Sequence, residues 1–159
     1  VYGPWGRPDM ALFKFTKNIL EDKEIDVYNN GNHSRDFTYV DDIVEGIYLS
    51  SISKKELIDS NFDSKDPSRS FCKSIIFNLG RGKPENLEDF IDEIENNLGK
   101  RAKRNLMPLQ PGDVPDTSAD ISGLKDFSGY EPKTSIKIGV KNFIDWYKEY
   151  YKVNLWKKF

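Results

Sequence analysis

Apolar residues recur along this chain with two periods, and the switches between them mark out its elements. Leu12, Phe15 and Ile19 fall at i, i+3 and i+7, with Ala11 and Phe13 beside them, so residues 10–21 read as an amphipathic helix capped by Asp9. Ile25 and Val27 alternate with polar neighbours before Asn30-Gly31, the pattern of a short strand entering a tight turn. Phe37-Thr38-Tyr39-Val40 reads as a second short strand. Asp41 and Asp42 then occupy the N-cap and first-turn positions of a helix through Ile43, Val44, Ile47 and Tyr48.

Residues 53–70 change character: Ser, Lys, Asp, Asn and Pro dominate, and the stretch reads as an insert or mobile loop. Ser74-Ile75-Ile76-Phe77-Asn78-Leu79 predicts a buried strand, and Gly80 to Pro84 a turn. Asn86 then caps a helix whose stripe is Leu87, Phe90, Ile91, Ile94 and Leu98, stopped by Gly99. Leu106 to Leu109 suggest another short strand, broken by Gln110-Pro-Gly-Asp-Val-Pro115. Asp120 caps a short helix reaching Phe127, and Gly129 to Pro132 form a turn. From Thr134 or Ser135 a last helix carries Ile136, Val140, Phe143, Ile144, Tyr147 and Tyr151, and the basic tail 152–159 is expected to fray. Helices and strands interleave without an internal repeat, which places the chain in the α/β class as a single unit, 1–159.

Composition narrows the chemistry. A chain of 159 residues buries roughly 70% of the surface its unfolded form exposes, enough for a true core. Its 24 basic and 26 acidic residues leave a formal charge of −2, which provides no electrostatic case for nucleic acid. The cluster Lys100, Arg101, Lys103 and Arg104 follows a helix end and reads as a solvated face that suits the helix dipole. No apolar run approaches the roughly 18 residues of a membrane span, and no basic-then-apolar leader opens the chain, so a cytoplasmic protein without membrane partners is expected. A single Cys and a single His exclude an internal disulfide and a thiolate–imidazole zinc cage. That histidine, His33, lies in Asn-Gly-Asn-His-Ser and reads as a solvated turn residue rather than a catalytic base.

Three segments combine turn residues with ionisable groups: Tyr2-Gly-Pro-Trp-Gly-Arg7-Pro-Asp9-Met10, Asn32-His-Ser-Arg35-Asp36-Phe-Thr-Tyr-Val-Asp41-Asp42, and Gln110-Pro-Gly-Asp113-Val-Pro. An Arg held on a shaped loop offers its planar fork to a phosphate or carboxylate. An Asp in a Pro-Gly-Asp turn can accept from two vicinal hydroxyls. Taken singly, each has a plainer reading: Arg35-Asp36 as a local ion pair, Gly112-Asp113 as an ordinary turn.

Together these segments resemble the NAD-dependent nucleotide-sugar epimerases and dehydratases, the extended short-chain dehydrogenase/reductase class. The strings Gly6-Arg-Pro-Asp-Met-Ala-Leu-Phe-Lys-Phe15, Ile25-Asp-Val-Tyr-Asn-Asn-Gly-Asn32, Arg35-Asp-Phe-Thr-Tyr-Val-Asp-Asp-Ile-Val-Glu-Gly-Ile47 and Gln110-Pro-Gly-Asp-Val-Pro115 are close to the UDP-glucuronate 4-epimerase subgroup. The end, Gly129-Tyr-Glu-Pro132 with Val140-Lys-Asn-Phe-Ile-Asp-Trp-Tyr147, fits as well. The likeness covers nearly the whole chain except 53–73, and it is to the C-terminal, substrate-binding lobe, which lacks most of the Rossmann domain.

The resemblance implies a UDP-sugar ligand and, in the complete enzyme, transient oxidation at sugar C4 through a 4-keto sugar, with NAD taking the hydride. It implies that Arg35 faces the diphosphate and Asp113 accepts from the ribose hydroxyls. Val27 offers backbone groups to uracil, and the Tyr28 ring packs near the base. Met10 and Ala11 present helix N-terminal amides to the anionic part of the ligand, and Arg7 lies near sugar or phosphate. Gln110 stands where several relatives have an Arg and the subgroup commonly has Gln. The family's catalytic Tyr-x-x-x-Lys pair and glycine-rich dinucleotide turn were sought: none of the eight tyrosines has Lys four residues on, and Gly80-Arg-Gly82 is followed by Glu85 where a third Gly belongs. This predicts no catalytic or cofactor-binding residue here, no metal, no NAD bound by the chain alone, and an inactive isolated chain. An exposed apolar face is expected to meet a Rossmann half or a second copy. The alternatives are a 4,6-dehydratase or decarboxylase fragment, and a silent sugar-nucleotide-binding or packing domain.

Overall fold

The computed structural model describes residues 1–54, 67–68 and 74–153. The expected mobile insert at 53–70 and the end of the basic tail fall almost entirely outside them.

Helix α1 spans Ala11–Leu20 and buries Leu12, Phe13, Phe15, Thr16 and Ile19. Its N-cap is Met10, without a side-chain cap, rather than Asp9. The Arg7–Met10 turn, closed by Met10 N–H on the Arg7 carbonyl at 3.1 Å, sets the start, and Asp9 pairs instead with Arg7 at 3.4 Å. Strand β1, Glu24–Val27, turns Ile25 and Val27 inward, both fully buried. A 3₁₀ turn follows at Tyr28–Gly31, where Asn29 and Asn30 both take left-handed backbone, which asparagine tolerates.

The strand expected at 37–40 is displaced. Strand β2 is Ser34–Arg35, antiparallel to β3 at Glu85–Asn86, and Tyr39 makes only a single parallel bridge to Tyr2. Gly3-Pro4 turns the partner segment away, so no ladder develops. Helix α2, Val40–Ile52, has Tyr39 at its N-cap and both Asp41 and Asp42 in its first turn. Asp42 is buried and fastens another segment: its carboxylate accepts from Lys133 N–H at 3.2 Å and from Thr134 N–H and Oγ1 at 3.0 and 3.1 Å.

Residues 74–79 do not form the expected buried strand. They alternate between exposed and half-buried, Ile76 is 70% exposed, and no named strand includes them. Helix α3, Leu87–Leu98, begins and ends where its stripe predicts, with Gly99 left-handed at φ 65°. Strand β4 is Lys103–Leu106, three residues earlier than its apolar neighbours suggest, and runs parallel to β1 in the register Glu24 to Lys103 and Val27 to Leu106. The ladder needs backbone rather than apolar side chains, and Pro108 has no N–H with which to extend it. Short helix α4 is Ser122–Ser128, with Asp120 accepting from Ser122 N–H at 3.0 Å. Helix α5, Ile136–Tyr150, is capped by the Ser135 side chain.

One core joins these pieces. Phe90, Ile91, Ile94 and Leu98 of α3 meet Val140, Phe143, Ile144 and Tyr147 of α5, with α1 and β1 completing the cluster. Phe37 stacks on Phe90 at 4.0 Å with an interplanar angle of 4°, and Tyr2 meets Phe90 edge-on at 5.4 Å. On the far side, α2 leaves Val44, Ile47, Tyr48 and Ile52 each more than half exposed, an apolar face of the kind the sequence predicts.

The basic cluster after α3 lies at the surface as expected, with Arg101, Lys103 and Arg104 exposed, and it is also tied down by ion pairs. Arg104 pairs with Glu88, Asp92 and Glu95, and Lys100 reaches Asp22 at 2.8 Å. Burial pushes the Glu95 carboxyl up, but bonds from Arg101, the Ala102 N–H and Arg104 outweigh it and hold it below its ordinary value. A folded value below the unfolded one adds stability above the unfolded carboxylate range, lost as pH falls through the folded value. Glu95→Gln is therefore expected to cost about 2 kcal/mol at pH 7 and less at acid pH. Urea denaturation at pH 7 and pH 3 measures this, and an equal deficit at both would contradict the assignment.

Candidate functional site

A cleft of about 760 Å³ opens between the loop before α1, the β1 turn, β2 and the 110–117 loop. All three turn-rich segments contribute to its wall, together with residues of β1, the 3₁₀ turn and helices α1, α3 and α5. Arg7, Met10 and Ala11 line it from the helix-α1 entrance, Tyr28 from the 3₁₀ turn, Arg35 from β2 and Asp113 from the long loop. Six of the eight sequence-predicted residues thus share one cleft.

The other two lie outside its wall. Val27 is fully buried in the core, and its carbonyl accepts from Met107 N–H at 2.9 Å. Gln110 is exposed and starts the turn that its carbonyl closes with Asp113 N–H at 3.1 Å.

Arg35 and Asp113 form the centre. The guanidinium donates from Nη2 to Asp113 Oδ1 at 3.0 Å and from Nη1 to the Pro115 carbonyl at 2.6 Å and the Ser34 carbonyl at 3.1 Å. This is not the local Arg35–Asp36 pair. Asp36, one residue past β2, accepts instead from Arg81 N–H at 3.0 Å, Gly82 N–H at 2.9 Å and Ala119 N–H at 3.0 Å. Asp36 thereby moors both the 80–82 turn and the 117–119 strip behind Arg35. The Ser34–Asp116 bridge and the Thr117 N–H to Ser34 carbonyl bond, 3.1 Å, hold the same loop against β2.

Residues 1–60 match the family described as the NAD dependent epimerase/dehydratase family. Protein CapI of Staphylococcus aureus is 53% identical over 155 residues, 96% of this chain and 46% of its own. UDP-glucuronate 4-epimerase 2 of Arabidopsis thaliana is 42% identical over 156 residues, covering 96% of this chain and 35% of the relative. Among solved structures, UDP-glucuronic acid 4-epimerase from Bacillus cereus, in complex with UDP-glucuronic acid and NAD, superposes with a TM-score of 0.78 at 32% identity over 94% of this chain and 43% of that one. The chain is thus similar over residues 1–60 to the NAD-dependent epimerase/dehydratase family, and over nearly all its length to part of these relatives. Its fold is that of an extended short-chain dehydrogenase/reductase, and it spans less than half the length of the curated relatives it matches.

Against this family background, two cleft residues escaped the sequence reading. His33 is not a solvated turn residue. Only 6% exposed, it lies under the cleft with Nδ1 3.2 Å from the Pro115 carbonyl and Nε2 3.6 Å from Asp113 Oδ2. Its signal was its spacing, two residues before Arg35, which puts both side chains on one face of an extended segment. Trp5, 72% exposed, lines the rim with left-handed backbone at φ 63°, uncommon for a bulky residue. Its ring meets Trp146 at 5.3 Å and Tyr150 at 4.9 Å, aromatic neighbours supplied by α5. Among the described residues no group of three or more His, Cys, Asp or Glu could hold a metal ion, and no helix is long and apolar enough to cross a membrane.

Proposed function

We propose that this chain is the nucleotide-sugar-binding part of a UDP-glucuronate 4-epimerase-like enzyme. The observation that carries the reading is the convergence of Arg35, Asp113, Tyr28 and the α1 entrance on one cleft. Arg35 offers a fork already oriented by Pro115 and Asp113, and a bound diphosphate would take its remaining donor capacity. The α1 amides after Met10 add positive partial charge at the same wall. Tyr28 supplies an aromatic wall for a base. Such groups orient a ligand; none of them breaks a bond.

NAD is implied for the complete enzyme, and the one glycine pair here does not suit it. A dinucleotide turn must aim free N–H groups at a pyrophosphate, whereas the Arg81 and Gly82 amides are spent on Asp36. No step is therefore assigned to a cofactor on these residues. The work of this part is orientation: gripping the nucleotide fixes where the sugar lies, and binding energy from that remote part serves positioning at the reacting carbon.

Calorimetric titration with UDP and UDP-glucuronate tests the proposal. Both are expected to bind, and UDP-galacturonate is not expected to form when NAD⁺ and UDP-glucuronate are supplied to the isolated chain. Absence of binding would remove the nucleotide reading, and appreciable product would remove the inference that the catalytic groups lie elsewhere.

A further inference from the structure

The chain's single histidine is buried beside the proposed nucleotide cleft with one ring nitrogen unfilled. His33 Nδ1 lies 3.2 Å from the Pro115 carbonyl. A carbonyl only accepts, so Nδ1 carries the proton and, in the neutral ring, Nε2 is left as an acceptor. That nitrogen is buried and has no hydrogen-bond partner among the described residues. Its neighbour at 3.6 Å is Asp113 Oδ2, another acceptor. The second oxygen of that carboxylate, Oδ1, is already taken by Arg35 Nη2 at 3.0 Å and by Val114 N–H at 2.9 Å.

Two acceptors therefore face the same point with no donor between them. Buried polar groups are nearly always paired, and an exception calls for a ligand, an ion or a water. We propose that His33 Nε2 and Asp113 Oδ2 form a paired acceptor for a vicinal diol, the two hydroxyls of a ribose. Hydroxyls on adjacent carbons present two O–H donors about one hydrogen-bond length apart, and each would meet one of these acceptors. His33 is then a specificity-determining residue that selects ribonucleotides over deoxyribonucleotides. This rests on the nucleotide reading above and adds to it a second acceptor and a consequence for ligand choice.

Two conservative substitutions separate the halves of the ring. His33→Asn keeps a donor near the Nδ1 position for Pro115 and removes the Nε2 acceptor. His33→Gln places an amide oxygen near Nε2. Calorimetry at pH 8 with UDP, 2′-deoxy-UDP and 3′-deoxy-UDP, on the chain and both variants, reads the difference. The chain is expected to bind UDP about tenfold more tightly than at least one deoxy analogue. His33→Asn is expected to lose about tenfold in UDP affinity and none for that analogue, and His33→Gln to keep most of the discrimination. Thermal melts of both variants report whether the fold survives, and the ratio of affinities within one variant is insensitive to a modest loss of stability. Equal weakening of UDP and both analogues in His33→Asn, or identical behaviour of the two variants, would overturn the role of His33 and leave the nucleotide site standing. No binding of any of the three by the chain itself would overturn the site, and this role with it.

Discussion

Arg35→Ala is expected to weaken UDP binding about 100-fold, because a hydrogen-bonded charge aimed at an anion contributes roughly 1.5–3 kcal/mol and each 1.4 kcal/mol is about tenfold. The guanidinium is held by three contacts within this chain, to Ser34, Asp113 and Pro115, so it is oriented before any ligand arrives. Preorganisation of that kind makes the loss larger than for a mobile surface cation. Arg35→Lys restores the charge without the fork and is expected to recover only part of the affinity. Stability should change little, since the Arg35–Asp113 pair is partly solvated, with side chains 25% and 35% exposed. Calorimetric titration with UDP and a thermal melt of the same sample separate the two effects. An unchanged affinity would take Arg35 out of the site.

Phe90→Ala is expected to be the most destabilising change in the chain's centre, by about 4 kcal/mol. Phe90 is 1% exposed, stacks face to face on Phe37 and receives the edge of Tyr2. Truncation removes the transfer free energy of the ring and leaves a void between α3 and the extended 37–39 segment, which among the described residues makes a single strand bridge, to Tyr2. At roughly 2–4 °C per kcal/mol for a chain of this size, the midpoint of thermal unfolding should fall by about 8–16 °C. Phe90→Leu, which fills most of the volume, should cost about 1.5 kcal/mol. Because Phe37 and Phe90 both line the cleft, the alanine variant should also weaken UDP binding, through displacement rather than lost contact. A melting shift of only a degree or two would mean that the ring pair carries little of the core.

The helices were the legible part of the fold, and α3 shows why. Its stripe of Leu87, Phe90, Ile91, Ile94 and Leu98 repeats over three turns, and Gly99 ends it by adopting a backbone that other residues resist. The strands were legible only where side chains alternate, as at Ile25 and Val27. Strand β4 is built from Lys103, Arg104, Asn105 and Leu106; Arg104 answers to the acids of α3 and Asn105 to Asp26, and none of the four faces the core. Ser34–Arg35 and Glu85–Asn86 pair over two residues, too short for any periodicity.

The site divides in the same way. Arg7, Met10, Arg35 and Asp113 lie in segments that turn residues beside ionisable groups mark, whereas Ala11 and Tyr28 could be named only through the family resemblance. Residue types along one chain determine what each local segment can do: where a helix stops, which loop holds a cation, which turn offers a carboxylate. They do not determine which faces meet across 80 residues. His33 illustrates the limit. Its neighbours Asn32 and Ser34 make it look solvated, and only the return of Pro115 and Asp113 over β2 buries it and leaves Nε2 facing a carboxylate. Burial, pairing and an unfilled acceptor are relations between distant segments, so the amino-acid order determined the parts of this cleft while tertiary packing decided which of them touch.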